Sequence, residues 1–204
     1  MNIEASFVLS AASAGDLPRD GLAEIAMVGR SNVGKSSLIN ALVRQRIART
    51  SAAPGKTRLA NVYRVARGGG APLYLLDLPG YGYARAAKGS RGARSPEAAR
   101  RASQNEFEAI VRAVFARQPA GLLLVDARHP GLETDRAAWQ WIREAAGAAA
   151  VVVTKIDKLG RGERIRALRA FESVMATSVL PVSAVTGEGL DELWKLIDRL
   201  KTSG

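Results

Sequence analysis

The stretch that decides the fold runs from residue 24 to residue 44, EIAMVGRSNVGKSSLINALVR. It opens on a short apolar run, Glu24 to Gly29, that reads as a buried strand. It closes on Ser36 to Arg44, where Leu38, Ile39 and Leu42 sit among good helix formers and predict a helix. Between the two, Gly29-Arg30-Ser31-Asn32-Val33-Gly34-Lys35-Ser36 fits the spacing G-x-x-x-x-G-K-[ST]. Glycines let such a loop curl so that successive amides point inward and hold phosphate oxygens. The helix that follows adds the partial positive charge of its N-terminus. In this pattern Lys35 reaches the β- and γ-phosphates, the Ser36 hydroxyl ligates Mg2+, and Ser37 is placed to help hold the α-phosphate.

Working outward, further apolar runs occur at Leu73 to Asp77, Gly121 to Asp126, Ala149 to Thr154 and Val179 to Val182. Asn61 to Val65 alternates like a strand. Runs that are apolar throughout are what parallel strands covered on both faces require. Helical patterns lie between them: Asn105 to Arg117, Asp135 to Glu144, Glu163 to Met175, and a last one on which Leu190, Leu193, Trp194, Ile197 and Leu200 share a face. The alternation predicts a single α/β domain with a mostly parallel central sheet and helices on both faces. Residues 23–204 read as that domain and residues 1–22 as an extension packed on it. Two segments fit no element, about 45–60 and 81–103. Loops this long in a compact domain are usually functional.

Four more motifs fall at strand ends or in these loops. Asp77-Leu78-Pro79-Gly80 ends an apolar strand; a carboxylate there can hold Mg2+, and the Gly80 amide can meet a γ-phosphate. Thr154-Lys155-Ile156-Asp157 follows another strand. Asp157 can accept from guanine N1 and N2, donors that adenine lacks, and the stem of Lys155 can lie over the base. Ser183-Ala184, just after Val182, can offer a backbone amide to guanine O6. Thr57, within Pro54-Gly55-Lys56-Thr57, can complete a Mg2+ shell when a γ-phosphate is present. Open α/β sheets bind ligands at the carboxyl ends of their strands. The order of these motifs therefore points to a guanine-nucleotide site with Ser36, Thr57 and Asp77 as metal ligands. Lys35, Thr57 and Gly80 are its candidate catalytic groups.

Composition narrows the chemistry. The chain has 204 residues and no cysteine, which excludes disulfides, thiolate metal sites and cysteine nucleophiles. Its one histidine, His129, excludes a histidine-cluster metal site and reads as structural. No span approaches the ~20 apolar residues of a bilayer crossing. The N-terminus lacks the pattern of a signal peptide. The expectation is a soluble cytoplasmic protein, monomeric by default, with no membrane partner. The net charge of +11 is segregated. Residues 44–101 hold 13 basic and 2 acidic side chains, whereas the flanking parts nearly balance. Such a segment favours a polyanionic partner and salt-sensitive binding.

The chain resembles the translation-factor-related P-loop GTPases, and more narrowly the EngB/YihA/YsxC family of bacterial ribosome-biogenesis GTPases. The resemblance rests on SFVLS at 6–10, GRSNVGKSSLINAL at 29–42, PGKT at 54–57, DLPGYGYA at 77–84, DARH at 126–129 and TKIDKL at 154–159. It implies binding of GTP and GDP with Mg2+, slow hydrolysis, association with the maturing large ribosomal subunit and its rRNA, and a link to cell division and septation. By motif match it makes Gly29 to Ser36, Gly55-Lys56-Thr57-Arg58-Leu59, Asp77 to Gly80, Thr154 to Asp157 and Val182 to Ala184 the nucleotide-contacting segments.

The chain departs from the family pattern in places. Lys56 stands where arginine is usual, Arg67 to Ala71 is a glycine-rich insertion expected to extend a turn, and Thr154 replaces the asparagine common in other GTPases. Ras-like enzymes position the attacking water with a glutamine just after D-x-x-G. Here that position is Tyr81, so unaided hydrolysis is expected to be very slow. In related GTPases an asparagine placed like Asn32 helps hold a potassium ion, which makes K+ a further candidate. Competing readings are an RNA-binding module that uses GTP without turnover, a division-site GTPase, and an ATPase sharing the phosphate loop.

Overall fold

The computed structural model describes residues 2–49, 59–81 and 108–201. Its sheet has seven strands: β1 (Ile3–Ala11), β2 (Ala23–Gly29), β3 (Ala60–Arg67), β4 (Leu73–Asp77), β5 (Ala120–Asp126), β6 (Ala148–Thr154) and β7 (Val179–Pro181). The helices are α1 (Lys35–Val43), α2 (described over 108–115), α3 (Glu133–Ala145), α4 (Arg161–Met175) and α5 (Leu190–Leu200). The strand order is β1-β3-β4-β2-β5-β6-β7. β1–β3 and β3–β4 pair antiparallel; the remaining pairs are parallel.

The period of two along each strand divides the core into two layers. Ile25 and Met27 face one layer with Leu75, Leu122, Leu124 and Val152, covered by Leu38, Ile39 and Leu42 of α1 and Leu193, Trp194 and Ile197 of α5. Ala26 and Val28 face the other with Leu76, Leu123, Val125 and Val153, covered by Ile110 and Val114 of α2, Trp139 and Ile142 of α3, and Phe171 of α4. Burial on both faces explains why β4 and β5 carry no exposed residue.

The expected elements are present, with ends shifted by one or two residues. The expected helix at 105–117 is described only from residue 108. Residues 3–11, expected only as part of a packed extension, form an edge strand hydrogen-bonded to β3. Its side chains are mostly half-exposed or exposed, so its hydropathy carries no strong strand signal. The glycine-rich insertion makes the turn between β3 and β4, where Gly68 and Gly69 take φ of 59° and 76°. Among the described residues no helix is long and apolar enough to cross a membrane.

The topology places the site. β2 lies at the centre, with β4 on one side and β5 on the other. The chain thus leaves the carboxyl end of β2 at the point where strand order reverses, the crevice used for ligands in open α/β sheets.

Candidate functional site

Gly29 ends β2, and the chain turns through residues 30–34 into α1. Two residues of this loop take left-handed backbone, Asn32 at φ 63° and Gly34 at φ 104°. Gly29 has no room for a side chain: a Cβ would lie 2.8 Å from Leu124 O. Val33 is buried and anchors the loop, while Asn32 and Ser37 are exposed. Lys35 Nζ donates to Gly29 O at 3.4 Å, so the side chain folds back over its own loop. Burial pushes the Lys35 amine below its ordinary value, against the pull of the Asp77 carboxylate.

Asp77 ends β4 and is buried. Burial pushes its carboxyl above the usual range, against Lys35 and a hydrogen bond from Ser36. That bond, Ser36 Oγ to Asp77 Oδ2, is 3.1 Å long and joins two residues 41 apart in the chain. A hydroxyl and a buried carboxylate side by side are hard oxygen donors, the type Mg2+ takes, and a cation there would offset the cost of the buried charge. Ser36 and Asp77 therefore fit the metal. Leu78 and Pro79 are buried, and Leu78 N donates to Met27 O at 3.3 Å. Gly80 lies against the phosphate loop: a Cβ on it would be 2.7 Å from Ser31 N.

The third strand end holds Thr154 to Asp157. Thr154 Oγ1 lies 2.7 Å from Val33 O and 3.0 Å from Val125 O, and its one proton serves either. A hydroxyl thus ties this segment to the phosphate loop, although asparagine is absent. Lys155 takes φ 60° and donates through Nζ to Asn32 O at 2.5 Å and to Asp126 Oδ2 at 2.9 Å, so its stem runs along the loop. Ile156 is buried, and its amide donates to Val182 O at 3.4 Å. Asp157 Oδ1 accepts from Ser183 Oγ at 2.7 Å, which holds its carboxyl below the usual range. Ser183 Oγ in turn accepts from the amides of Val185 and Thr186. Ser183's own amide donates to Glu188 O at 2.9 Å, so the expected base-facing amide falls to Ala184.

Sequence reasoning gave no site role to Asp126, although it lies in the DARH motif, nor to Asp135. Asp126 ends β5 as Asp77 ends β4, and that parallel was the available signal. It accepts from Lys155 and from the Arg128 guanidinium at 2.7 and 2.9 Å. Burial raises its pKa, but these hydrogen bonds outweigh it and hold the carboxyl below the usual range. A carboxyl depressed in the folded state stabilises the fold above its unfolded value near 3.9, and that contribution fades as pH falls. Asp126→Asn should therefore lower the melting midpoint by about 3–6 °C at pH 7. The difference from the parent should shrink on melting at pH 4 and pH 3. A constant difference across this range would contradict the assignment.

Gly55, Lys56, Thr57 and Arg58 lie outside the described residues, as do 82–103 of the second loop. Leu59 is exposed just before β3. His129 is exposed beyond β5, its amide donating to Asp126 O.

The family described as 50S ribosome-binding GTPase matches residues 24–156. A protein of Chlorobaculum parvum called probable GTP-binding protein EngB is 39% identical, the match covering 97% of this chain and 98% of that one. A crystal structure of a probable GTP-binding protein engB superposes with a TM-score of 0.62 at 21% identity, covering 89% of this chain and all of that one. Era, solved with MgGDPNP and nucleotides of 16S ribosomal RNA, superposes with a TM-score of 0.68 at 25% identity, covering 88% of this chain and 56% of Era. A phosphate loop, a serine–carboxylate pair and a serine-braced aspartate meet at one sheet edge, and a close relative matches nearly end to end. The chain belongs to the EngB family of GTP-binding proteins, within the 50S ribosome-binding GTPases.

Proposed function

We propose that the protein is a GTP-driven switch that acts in assembly of the large ribosomal subunit and, through it, in normal cell division and septation. One observation carries this reading. Segment 44–101, which holds the whole net charge of +11, also contains Thr57 and Gly80, the two groups expected to answer to a γ-phosphate. Nucleotide state would then reshape the surface that meets rRNA. Era's RNA-bound structure and the family's description support the same direction.

In this reading residues 29–37 hold the phosphates, 154–157 with 182–184 read the base, and 55–59 with 77–80 sense the γ-phosphate. Mg2+, held by Ser36, Thr57 and Asp77, would neutralise charge on the β- and γ-oxygens. Potassium beside Asn32 would add to it. Hydrolysis is slow unaided, because Tyr81 stands where a water-orienting glutamine would and its hydroxyl is committed to Asp135 at 2.8 Å. Ribosomal particles would supply the stimulation.

The test is co-sedimentation with large ribosomal subunits in GDP or a non-hydrolysable GTP analogue, across a salt series, with phosphate release measured alongside in potassium and in sodium. Binding favoured by the analogue and weakening steeply with salt is the expected result. Particles should raise a turnover that stays below about 1 s−1 without them. Equal sedimentation in both nucleotides at every salt concentration would count against the switch. Binding without any turnover would favour a non-catalytic RNA-binding module.

A further inference from the structure

Tyr81, the residue after Gly80, is held by three elements at once. Its amide donates to Gly29 O at 3.3 Å, and its carbonyl accepts from Ser31 N at 3.2 Å, a short parallel bridge around Arg30. Its ring is half-buried against the core layer of α2, α3 and α4. Its hydroxyl donates to Asp135 Oδ1 at 2.8 Å, across 54 residues of chain. The same oxygen lies 3.3 Å from Arg30 Nε of the phosphate loop. Asp135 sits in the first turn of α3 with 1% of its side chain exposed.

This cluster is costly as packing alone. Among the described residues, Asp135 Oδ2 and Arg30 Nε are buried without a hydrogen-bond partner, although Arg30 Nε keeps its ion-pair contact with Asp135 Oδ1. A buried polar group left in that state costs stability. A phenylalanine at 81 and an apolar residue at 135 would fill the space without burying a hydroxyl and a carboxylate. What the cluster provides is position. The two backbone bonds that seat Tyr81 are long, at 3.3 and 3.2 Å, and a single hydrogen bond contributes little net stability. The hydroxyl–carboxylate bond fixes the side chain from the far side, so the residue before it, Gly80, stays pressed on Ser31.

We propose that Asp135 is a positioning residue for nucleotide discrimination: through the Tyr81 hydroxyl it holds the Gly80 backbone seated on the phosphate loop, ready for a γ-phosphate. The γ-phosphate part rests on the function proposed above. The seating itself does not.

The experiment uses the full chain as Tyr81→Phe, Asp135→Leu and the double variant. Affinities for fluorescent GDP and a non-hydrolysable GTP analogue are measured, with hydrogen exchange of the Ser31 and Tyr81 amides in nucleotide-free protein. Each single change should lower affinity for the analogue about 5- to 10-fold and leave GDP within about 2-fold. The double variant should lose no more than the Asp135→Leu single, since that change already removes the Tyr81 hydrogen bond along with the Arg30 contact. Both amides should exchange about tenfold faster. Equal losses for both nucleotides, a gain for the analogue, multiplying losses, or unchanged exchange would each overturn the proposal. If Asp135→Leu fails to fold, Tyr81→Phe, which deletes one hydroxyl, decides alone. If the parent protein binds no guanine nucleotide, the proposed function fails, and the exchange measurement still decides the seating.

Discussion

Asp157→Asn should turn the protein from guanine to xanthine nucleotides. Asp157 is shaped as a pure acceptor. Its Oδ1 is fixed by the Ser183 hydroxyl at 2.7 Å, and its Oδ2 lies 3.3 Å from Lys158 Nζ. Ser183, fully buried, is itself held by the amides of Val185 and Thr186, so the carboxylate has little freedom to turn. A carboxylate accepts from guanine N1–H and the N2 amino group. An asparagine in its place presents an NH2 donor to those donors. Xanthine carries a carbonyl at C2, which accepts from that amide. Sites built around buried polar pairing discriminate strongly, so affinity for GDP should fall by roughly 10²–10⁴-fold. The substitution is isosteric and asparagine still accepts from Ser183, so the fold should hold. Competition binding with GDP and XDP checks it. An unchanged preference for guanine would remove Asp157 from base recognition, and preference for an adenine nucleotide would restore the ATPase reading.

Lys35→Ala should lower affinity for the GTP analogue by about 100-fold or more, and hydrolysis by at least as much. Among the described residues the Lys35 ammonium is only loosely held. Its hydrogen bond to Gly29 O is 3.4 Å long, the loose end of the range. Burial already lowers its pKa, and Asp77 supports the charged form only in part. An ammonium held so loosely in a loop with a helix N-terminus behind it gains much from phosphate oxygens. Circular dichroism separates lost binding from lost fold, and titration with fluorescent nucleotide reads the effect. Affinity within about threefold of the parent would show that Lys35 does not meet phosphate.

Much of this was legible in the chain because the strongest signals are local. The run from Glu24 to Ser36 carries an apolar strand, two glycines at a set spacing and a helix start. Each of these depends on neighbours a few residues away. Asp77, Thr154 and Val182 were visible for the same reason: each ends an apolar run, and a run buried on both faces must break where the sheet does. The strand β1 was not visible as a strand. An edge strand with one exposed face needs β3 beside it to be worth forming, and its partners there, from Ala11↔Ala60 to Ile3↔Arg67, lie about 50 to 64 residues on.

The sequence alone determined the class of the fold, the order of the motifs and the identity of the phosphate loop, because periodicity and glycine spacing are properties of short stretches. Tertiary structure decided the pairings. That Thr154 reaches the phosphate loop through a hydroxyl depends on β6 and α1 meeting at one edge. That Ser183 braces Asp157 depends on β7 lying beside β6. That Tyr81 is locked by Asp135 depends on α3 packing over β5. A hydrogen bond needs its two atoms within about 3 Å. Residues 26, 54 or 121 positions apart come that close only when the sheet order is set, and no short window of sequence contains that distance.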